Sequence, residues 1–145
     1  MARSLLKTKG RRAAKPFSQI YHALLDDPIY MELSYPAKAL LIDATRFYNG
    51  RNNGDICLTR KLMRPRGWNS NDVLCRAKNE LIEAGLLILT RQGGRHQCSL
   101  YGFSWLAIDE CKGKLDINPT RTPPRPLTIA KKLKTVNRKA ALLGD

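Results

Sequence analysis

The chain has 145 residues, and its 26 lysines and arginines against 12 acidic residues give a formal net charge of +14. This length suits one domain with its own core and excludes two ordinary domains, while 43% hydrophobic and 26% charged residues exclude wholesale disorder. The positive charge favours a polyanionic partner, namely DNA, RNA or an anionic membrane surface.

The positive charge is concentrated at the two ends of the chain. Residues 1–15 carry six basic groups and no acidic group. Residues 112–145 carry nine basic and two acidic groups, whereas residues 16–111 carry eleven basic and ten acidic groups. We therefore predict a near-neutral domain over 16–111, a flexible basic N-terminal arm over 1–15, and a proline-containing linker with a flexible basic tail over 112–145. A solubilising role for the arms is the alternative to binding nucleic acid. The arm residues expected to bind phosphates are Arg11, Arg12, Lys15, Lys131, Lys132 and Lys134.

The N-terminal segment lacks the apolar core of a secretory signal, and no stretch reaches the ~20 apolar residues of a membrane span. We therefore expect a cytoplasmic protein without a membrane partner. An organelle transit peptide is a weaker alternative, suggested by the arginine-rich, acid-free composition of residues 1–15. The cysteines form no C-x-x-C pair, so we expect reduced thiols rather than a zinc site or disulfides. These cysteines are Cys57, Cys75, Cys98 and Cys111.

The first predicted elements are two helices and a short strand. Apolar residues that recur at helical spacing, and so would form a stripe on one face, predict a first helix that ends before Pro28. Ser34 is suited to cap a second helix, which Asn49-Gly50 would end. Residues 55–58 follow as a short strand. The residues of the first stripe are Phe17, Ile20, Tyr21, Leu24 and Leu25.

Two further helices follow in the manner of a helix–turn–helix. Thr59 is suited to cap a short third helix that Pro65 cuts off, in which case Trp68 supplies the missing packing. Asn69 is the expected cap of a fourth helix, with Asp72 reaching back to it, and Gly85 is its expected end.

A β-hairpin completes the predicted domain. Residues 86–91 and 97–105 are strand-like, and the Gly-Gly turn at 92–95 joins them. The order is α-α-β-α-α-β-β, mainly α with a small β-hairpin. From residue 118 the prolines favour an extended linker. Beyond it, helical spacing of apolar residues among lysines is compatible with a short amphipathic helix that could pair two copies.

The predicted fourth helix and its surroundings have the composition of a DNA-reading element. Its outward positions include Asn and Arg, which can bond to adenine and guanine edges in pairs. The preceding helix and turn are crowded with cations, as expected for an element that crosses phosphates. The expected base-reading residues are Ser70, Asn71, Arg76 and Asn79. The expected phosphate contacts are Arg60, Lys61, Arg64 and Arg66. Arg91 and Arg95 flank the hairpin turn and are expected to assist at the backbone or a narrow minor groove.

The run from Phe17 to Trp105 resembles the winged helix–turn–helix proteins of bacteriophages, plasmids and related mobile elements, which include small regulators and replication-initiator domains. The likeness lies in FSQIYHALLDDPIY, LSYPAKALLIDATRFYNG, RNNGDICLT and RAKNELIEAGLLILTR. It implies double-stranded DNA as partner, in a prokaryotic or phage-infected cell at the nucleoid, through the helix opened at Asn69. Pro65 and Arg66 depart from the family pattern, where helix and an apolar residue usually precede the turn.

Other chemistry finds little support in the sequence. His22 and His96 lack partners in any recognisable catalytic or metal-binding spacing. The acidic pairs at 26–27 and 109–110 point apart, which argues against a two-metal site. We therefore expect no enzymatic activity, metal or cofactor. Stacking of single-stranded bases is disfavoured because most of the aromatic residues are expected to face the core.

Two other functions remain open from the sequence. A winged helix can serve as a scaffold that docks on a protein or ribonucleoprotein, as an accessory or inhibitor protein of a mobile element. The basic arms alone could bind RNA. Homodimerisation is also left open.

Overall fold

The computed structural model describes residues 15–127, which form a small α/β domain with five α-helices and a three-stranded antiparallel sheet. The strand order in the sheet is β1-β3-β2. Two 3-10 helices occupy 64–66 and 111–113. The elements are α1 (His22–Leu25), α2 (Pro28–Met31), α3 (Tyr35–Thr45), β1 (Ile56–Cys57), α4 (Arg60–Met63), α5 (Asn71–Glu83), β2 (Leu87–Arg91) and β3 (Leu100–Phe103).

The expected first helix is much shorter than its apolar stripe suggested. Residues 15–21 are not helical, Phe17 is 80% exposed, and only Leu24 of the stripe is buried. The chain instead forms two single-turn helices. Asp27 separates them by accepting a hydrogen bond from the Ile29 amide at 3.0 Å and capping α2. The prediction of one buried helix face over 17–25 was therefore wrong, because short apolar spacing without a cap at its start does not nucleate a helix.

The second helix begins as predicted and ends early. The Ser34 hydroxyl accepts a hydrogen bond from the Ala37 amide, and Pro36 lies in the first turn. Helix α3 ends at Thr45 rather than at Asn49-Gly50. The side chain of Asn52 holds the following turn, since it donates to the Phe47 carbonyl at 2.9 Å and accepts from the Asn49 amide at 2.8 Å.

The truncated third helix is confirmed. Helix α4 ends at Met63, a 3-10 turn carries Pro65, and Gly67 leaves it in the left-handed region with φ of 94°. Trp68 then enters the core with 8% exposure, and its indole N–H donates to the Asp43 carboxylate at 2.8 Å. Trp68 therefore supplies the packing that the proline removes, as predicted.

The fourth predicted helix, α5, begins one residue later than expected. Ser70, not Asn69, is the N-cap, and its hydroxyl accepts from the Val73 amide at 3.3 Å. Asp72 consequently lies too early in the helix for a capping box and instead pairs with Arg76. Gly85 follows the helix with φ of 75°, as predicted for a C-terminal glycine.

The hairpin has shorter strands and a wider loop than expected. Leu87 faces Phe103 in the β2–β3 ladder, and the register shifts between Leu89 and Arg91. Residues 97–99 leave the ladder because the loop closes on itself: the Gly94 amide donates to the Gln97 carbonyl at 3.0 Å.

One hydrophobic core joins the helices to one side of the sheet. Helix α3 packs against α5, and α5 packs against β2. Burying side chains of this size drives folding by about 1.5–3 kcal/mol each. The largest fully buried side chains include Leu40, Leu41, Leu74, Leu81, Leu86 and Phe103.

Asn53 joins the loop before β1 to the chain that leaves β3. Its fully buried amide nitrogen donates to the carbonyls of Phe103 (3.0 Å), Leu106 (3.2 Å) and Ala107 (2.9 Å), and its amide oxygen accepts from the Phe103 N–H at 2.7 Å. Its backbone exchanges two further hydrogen bonds with Asp109, at 2.8 and 2.9 Å. This side chain therefore satisfies backbone groups that no strand reaches.

Residues 112–127, which the sequence assigned to the C-terminal arm, hydrogen-bond to the domain. The Asp116 amide donates to the Thr90 carbonyl and the Arg125 amide to the Ser104 carbonyl, both at 2.8 Å. The Arg125 guanidinium pairs with buried Asp27 at 2.9 Å. Two of the cations counted in that arm, Lys114 and Arg125, are thus paired with acids of the domain. The predicted C-terminal helix lies outside the described residues.

Replacing Asn53 with alanine is expected to lower the free energy of unfolding by about 3 kcal/mol or more, because four side-chain hydrogen bonds are lost and buried carbonyls are left without donors. Denaturant unfolding followed by circular dichroism measures the change. The exposed Asn118→Ala is the matched control and is expected to fall within about 0.5 kcal/mol of the parent. Equal stability of Asn53→Ala and the parent would show that the network is not needed.

Candidate nucleic-acid interface

The outward side of α5 is open to solvent. Three of the four residues expected to read bases belong to α5, the fourth, Ser70, is its N-cap, and all four are exposed, whereas Leu74, Ala77 and Leu81 are buried. Cys75, which precedes Arg76 in the helix, is half-buried. A helix with one buried stripe and an uncovered polar face is the shape needed to enter a major groove. The exposed residues are Ser70, Asn71, Arg76 and Asn79.

Arg76 is held in an ion pair on this face. Its guanidinium lies 2.9 Å from the Asp72 carboxylate, one turn earlier, and the two side chains are 73% and 75% exposed. An exposed pair of this kind contributes little to stability. The Arg76 guanidinium can therefore leave Asp72 for another partner at small cost.

Four cations surround the turn before α5. We call Arg60, Lys61, Arg64 and Arg66 the basic patch. All four are exposed, and none takes part in the three ion pairs found within residues 15–127. A depression of about 780 Å³ lies at the patch, and no acidic side chain lines it. Its lining residues are Arg60, Lys61, Arg64, Pro65 and Asn69.

The fold holds one member of the basic patch in place. The Arg66 guanidinium lies over the Phe47 ring, 5.1 Å from its centroid. Such a cation–π contact orients the planar group and leaves its edge free to bond to phosphate oxygens. Pro65, which shortens α4, brings this arginine into the 3-10 turn.

The two arginines of the hairpin have different surroundings. Arg91 is half-buried and folds back on the loop, where its guanidinium donates to the Cys98 carbonyl at 2.9 and 3.3 Å. Arg95 is exposed near the tip. Arg95 is therefore available to a ligand, whereas Arg91 supports the shape of the hairpin. Lys15 is exposed; the other arm residues expected to bind, Arg11, Arg12, Lys131, Lys132 and Lys134, lie outside the described residues.

The contact that orients α5 was not predicted from the sequence. The Ser34 amide and hydroxyl both donate to the Glu80 carboxylate, the amide at 2.9 Å, so the start of α3 is joined to the last turns of α5. These two hydrogen bonds to the ionised form lower the pKa of Glu80. No local signal could have revealed this pair, since 46 residues separate its members.

The cysteines and histidines form no reactive site in the part of the chain that the structure describes. All four cysteines are free and half-buried. Burial, with smaller contributions from neighbouring groups, raises the pKa of Cys57 and Cys111 and keeps them protonated. Between residues 15 and 127 no three His, Cys, Asp or Glu side chains meet in a way that could hold a metal ion.

No family model, curated protein or solved structure matches this chain. Over residues 15–127 no helix has the length and apolar character required to cross a bilayer. Arguments about function therefore rest on the geometry of the residues above.

The Glu80–Ser34 link predicts a pH-dependent stability. A carboxyl whose pKa is lowered on folding stabilises the protein above its unfolded pKa, and this contribution is lost as the pH falls through the folded pKa. Glu80→Gln is therefore expected to lower Tm at about pH 7, with the difference from the parent shrinking towards about pH 3.

The control for this experiment is Glu83→Gln, an exposed substitution on the same helix. It removes the same charge without touching Ser34 and is expected to leave Tm nearly unchanged at both pH values. A constant gap between Glu80→Gln and the parent at all pH values would contradict a role for the ionised carboxylate.

Proposed function

We propose that this protein binds double-stranded DNA as a winged helix–turn–helix protein, as a transcriptional regulator or replication-associated factor of a phage or plasmid. The order of α1/α2, α3, β1, α4, α5, β2 and β3 and the three-stranded sheet are compatible with that architecture. The resemblance of the sequence to winged-helix proteins of mobile elements supports the biological setting.

The observation that carries the proposal is the position of the basic patch directly before the open face of α5. In a helix–turn–helix the first helix crosses the phosphates and the second lies in the major groove. Here the unpaired cations Arg60, Lys61 and Arg64 line the depression at the turn, beside Asn69 at the start of that second helix. Phosphates bound there would direct the N-terminal half of α5 towards the bases.

The open face of α5 offers side chains that distinguish bases. Asn71 and Asn79 can each bond in pairs to adenine, and Arg76 to guanine. They are exposed, so they need no rearrangement of the core to reach a base edge. Arg95 at the hairpin tip adds a cation for the neighbouring backbone or minor groove. Specificity in this proposal comes from α5, and most of the affinity comes from the cations.

The charge distribution predicts a strong salt dependence. About 6–10 phosphate contacts would lower the affinity by roughly 10³–10⁵ between about 50 and 200 mM salt. The basic patch supplies four candidate contacts, and the remainder would come from Arg95 and the basic arms. Binding of this kind is fast and largely independent of sequence until α5 meets its site.

Arg64→Ala tests the phosphate contacts of the basic patch. It is expected to weaken binding to all duplexes about equally and to reduce the slope of log K against log salt by about 0.9. Fluorescence anisotropy over a salt series measures both. Arg51→Ala removes an exposed arginine outside the basic patch and the arms and serves as the control. An unchanged slope for Arg64→Ala would exclude a phosphate contact at this residue.

Arg76→Ala tests base reading by α5. We expect it to reduce the preference among sequences, by about 1–3 kcal/mol at one base pair, whereas removal of residues 1–15 is expected to weaken binding to every sequence alike. Selection of bound fragments from a random duplex library reports both effects. Uniform weakening in both variants would show that α5 does not read bases.

Docking on a protein is the second candidate, and one observation favours it. Met31, Tyr35 and Ile42 are 53%, 86% and 39% exposed, and the last two lie on one face of α3, seven residues apart. Such side chains can contribute to a protein contact. Absence of any electrophoretic shift on random duplex DNA at moderate salt would favour protein docking. Tighter binding to structured RNA than to duplex DNA would favour an RNA-binding function.

A further inference from the structure

An aromatic cleft lies beside the basic patch, between the extended residues 15–21 and the turn that follows α3. Its volume is about 830 Å³. The sequence placed most of the aromatic residues in the core, but the loss of the first helix leaves two of them at this cleft. The aromatic side chains that line it are Phe17, Tyr21, Phe47, Tyr48, Phe103 and Trp105.

Some of the aromatic rings that line the cleft are packed against the core, and others are exposed to solvent. Phe103 packs edge-on against Tyr48, with centroids 6.1 Å apart, and lies 4.8 Å from the Trp105 ring. These rings are fixed by the core. Phe17 and Tyr21 are 80% and 42% exposed, so their faces are available to a planar ligand.

The charges around the cleft are positive. Lys15 and Arg46 line it and no acidic residue does. Neither of these cations belongs to an ion pair found within residues 15–127. Phe47, one of the lining residues, carries the Arg66 guanidinium on its ring, so one cation of the basic patch lies next to the cleft. A ligand of this cleft therefore combines a planar apolar ring with a negative charge.

We propose that the cleft binds an unpaired nucleobase of a DNA strand that continues from the duplex held at the basic patch. The base would stack on Phe17 or Tyr21, and Lys15 and Arg46 would bind its flanking phosphates. The duplex position rests on the proposed function, whereas stacking in the cleft does not. The protein would then prefer junctions between duplex and single strand, as occur where a replication origin or promoter is opened.

Polar groups at the cleft suit the edge of a base. Ser18, Gln19 and Asn49 line it and carry donors and acceptors. Burial raises the pKa of Tyr48, and the nearby Asp109 carboxylate adds to this effect, so its hydroxyl stays protonated and can donate. Stacking tolerates any base, whereas hydrogen bonds at the edge select among them. We therefore expect binding of all single strands with a modest base preference.

The test compares a blunt duplex with the same duplex carrying a short single-stranded overhang, by fluorescence anisotropy on the full chain. The overhang is expected to raise the affinity about 5- to 150-fold, the range for stacking of one base. Phe17→Ala and Tyr21→Ala are expected to reduce this advantage while leaving blunt-duplex binding unchanged. Both side chains are exposed, so folding is not at risk.

Tyr35→Ala is the matched control, because Tyr35 is 86% exposed but does not line the cleft. It is expected to keep the full overhang advantage. A fluorescent adenine analogue as the first unpaired base gives a second readout: its emission is quenched when it stacks, and Phe17→Ala is expected to restore it. Equal binding of both DNAs without quenching overturns the cleft proposal while leaving duplex binding intact. Quenching by a single strand without any duplex binding supports the cleft and overturns the proposed duplex function instead.

Discussion

The buried amide of Asn53 holds together two parts of the chain that are 50 residues apart. It bonds to the last residue of β3 and to two carbonyls of the turn that follows, while its backbone pairs with Asp109. The neighbouring Gly54 has φ of 117° and lies 3.1 Å from the position a side chain at Gly102 would occupy. A Cβ at Gly102 would press against the backbone of Gly54. At Gly54 the positive φ favours glycine, and a Cβ would meet the Leu115 side chain at 2.7 Å. The Asn53 hydrogen bonds and this close approach hold the β1 loop against the end of β3.

Closure of the sheet determines where the proposed DNA-binding face lies. Helix α5 packs against both β2 and α3, and the Ser34–Glu80 hydrogen bonds set its orientation against α3. With Leu74, Ala77 and Leu81 buried, the opposite side of α5 is left to solvent. The basic patch then lies beside it, because Pro65 and Gly67 turn the chain sharply between α4 and α5. Groove reading in our proposal thus depends on packing far from the bases.

The aromatic cleft arises from the same geometry. Helix α3 stops at Thr45, so Phe47 and Tyr48 turn outward from the helix axis towards the end of β3. The extended residues 15–21 pass over them without forming a helix, and Phe17 and Tyr21 stay partly in water. Arg66 stacked on Phe47 connects this cleft to the basic patch. In our proposals the cations of the basic patch bind phosphates and the rings of the cleft stack on a base, which are the two groups that an opened duplex presents together.

The sequence by itself determined the features that depend on near neighbours. These are the order of helices and strands from α3 onward, the Ser34 cap, the Gly85 stop, the truncation of α4 at Pro65 and the exposed face of α5. Caps, prolines and helical periodicity act within a few residues and can be recognised without coordinates. Only the tertiary structure decided that Asn53 connects the loop before β1 to the end of β3 and that Glu80 bonds to Ser34. It also decided that Arg125 pairs with Asp27 rather than belonging to a free arm, and that Phe17 is exposed. These outcomes depend on partners 46 to 98 residues away or on a helix that failed to form. No local pattern encodes such pairings, because they exist only after the core has brought distant segments together.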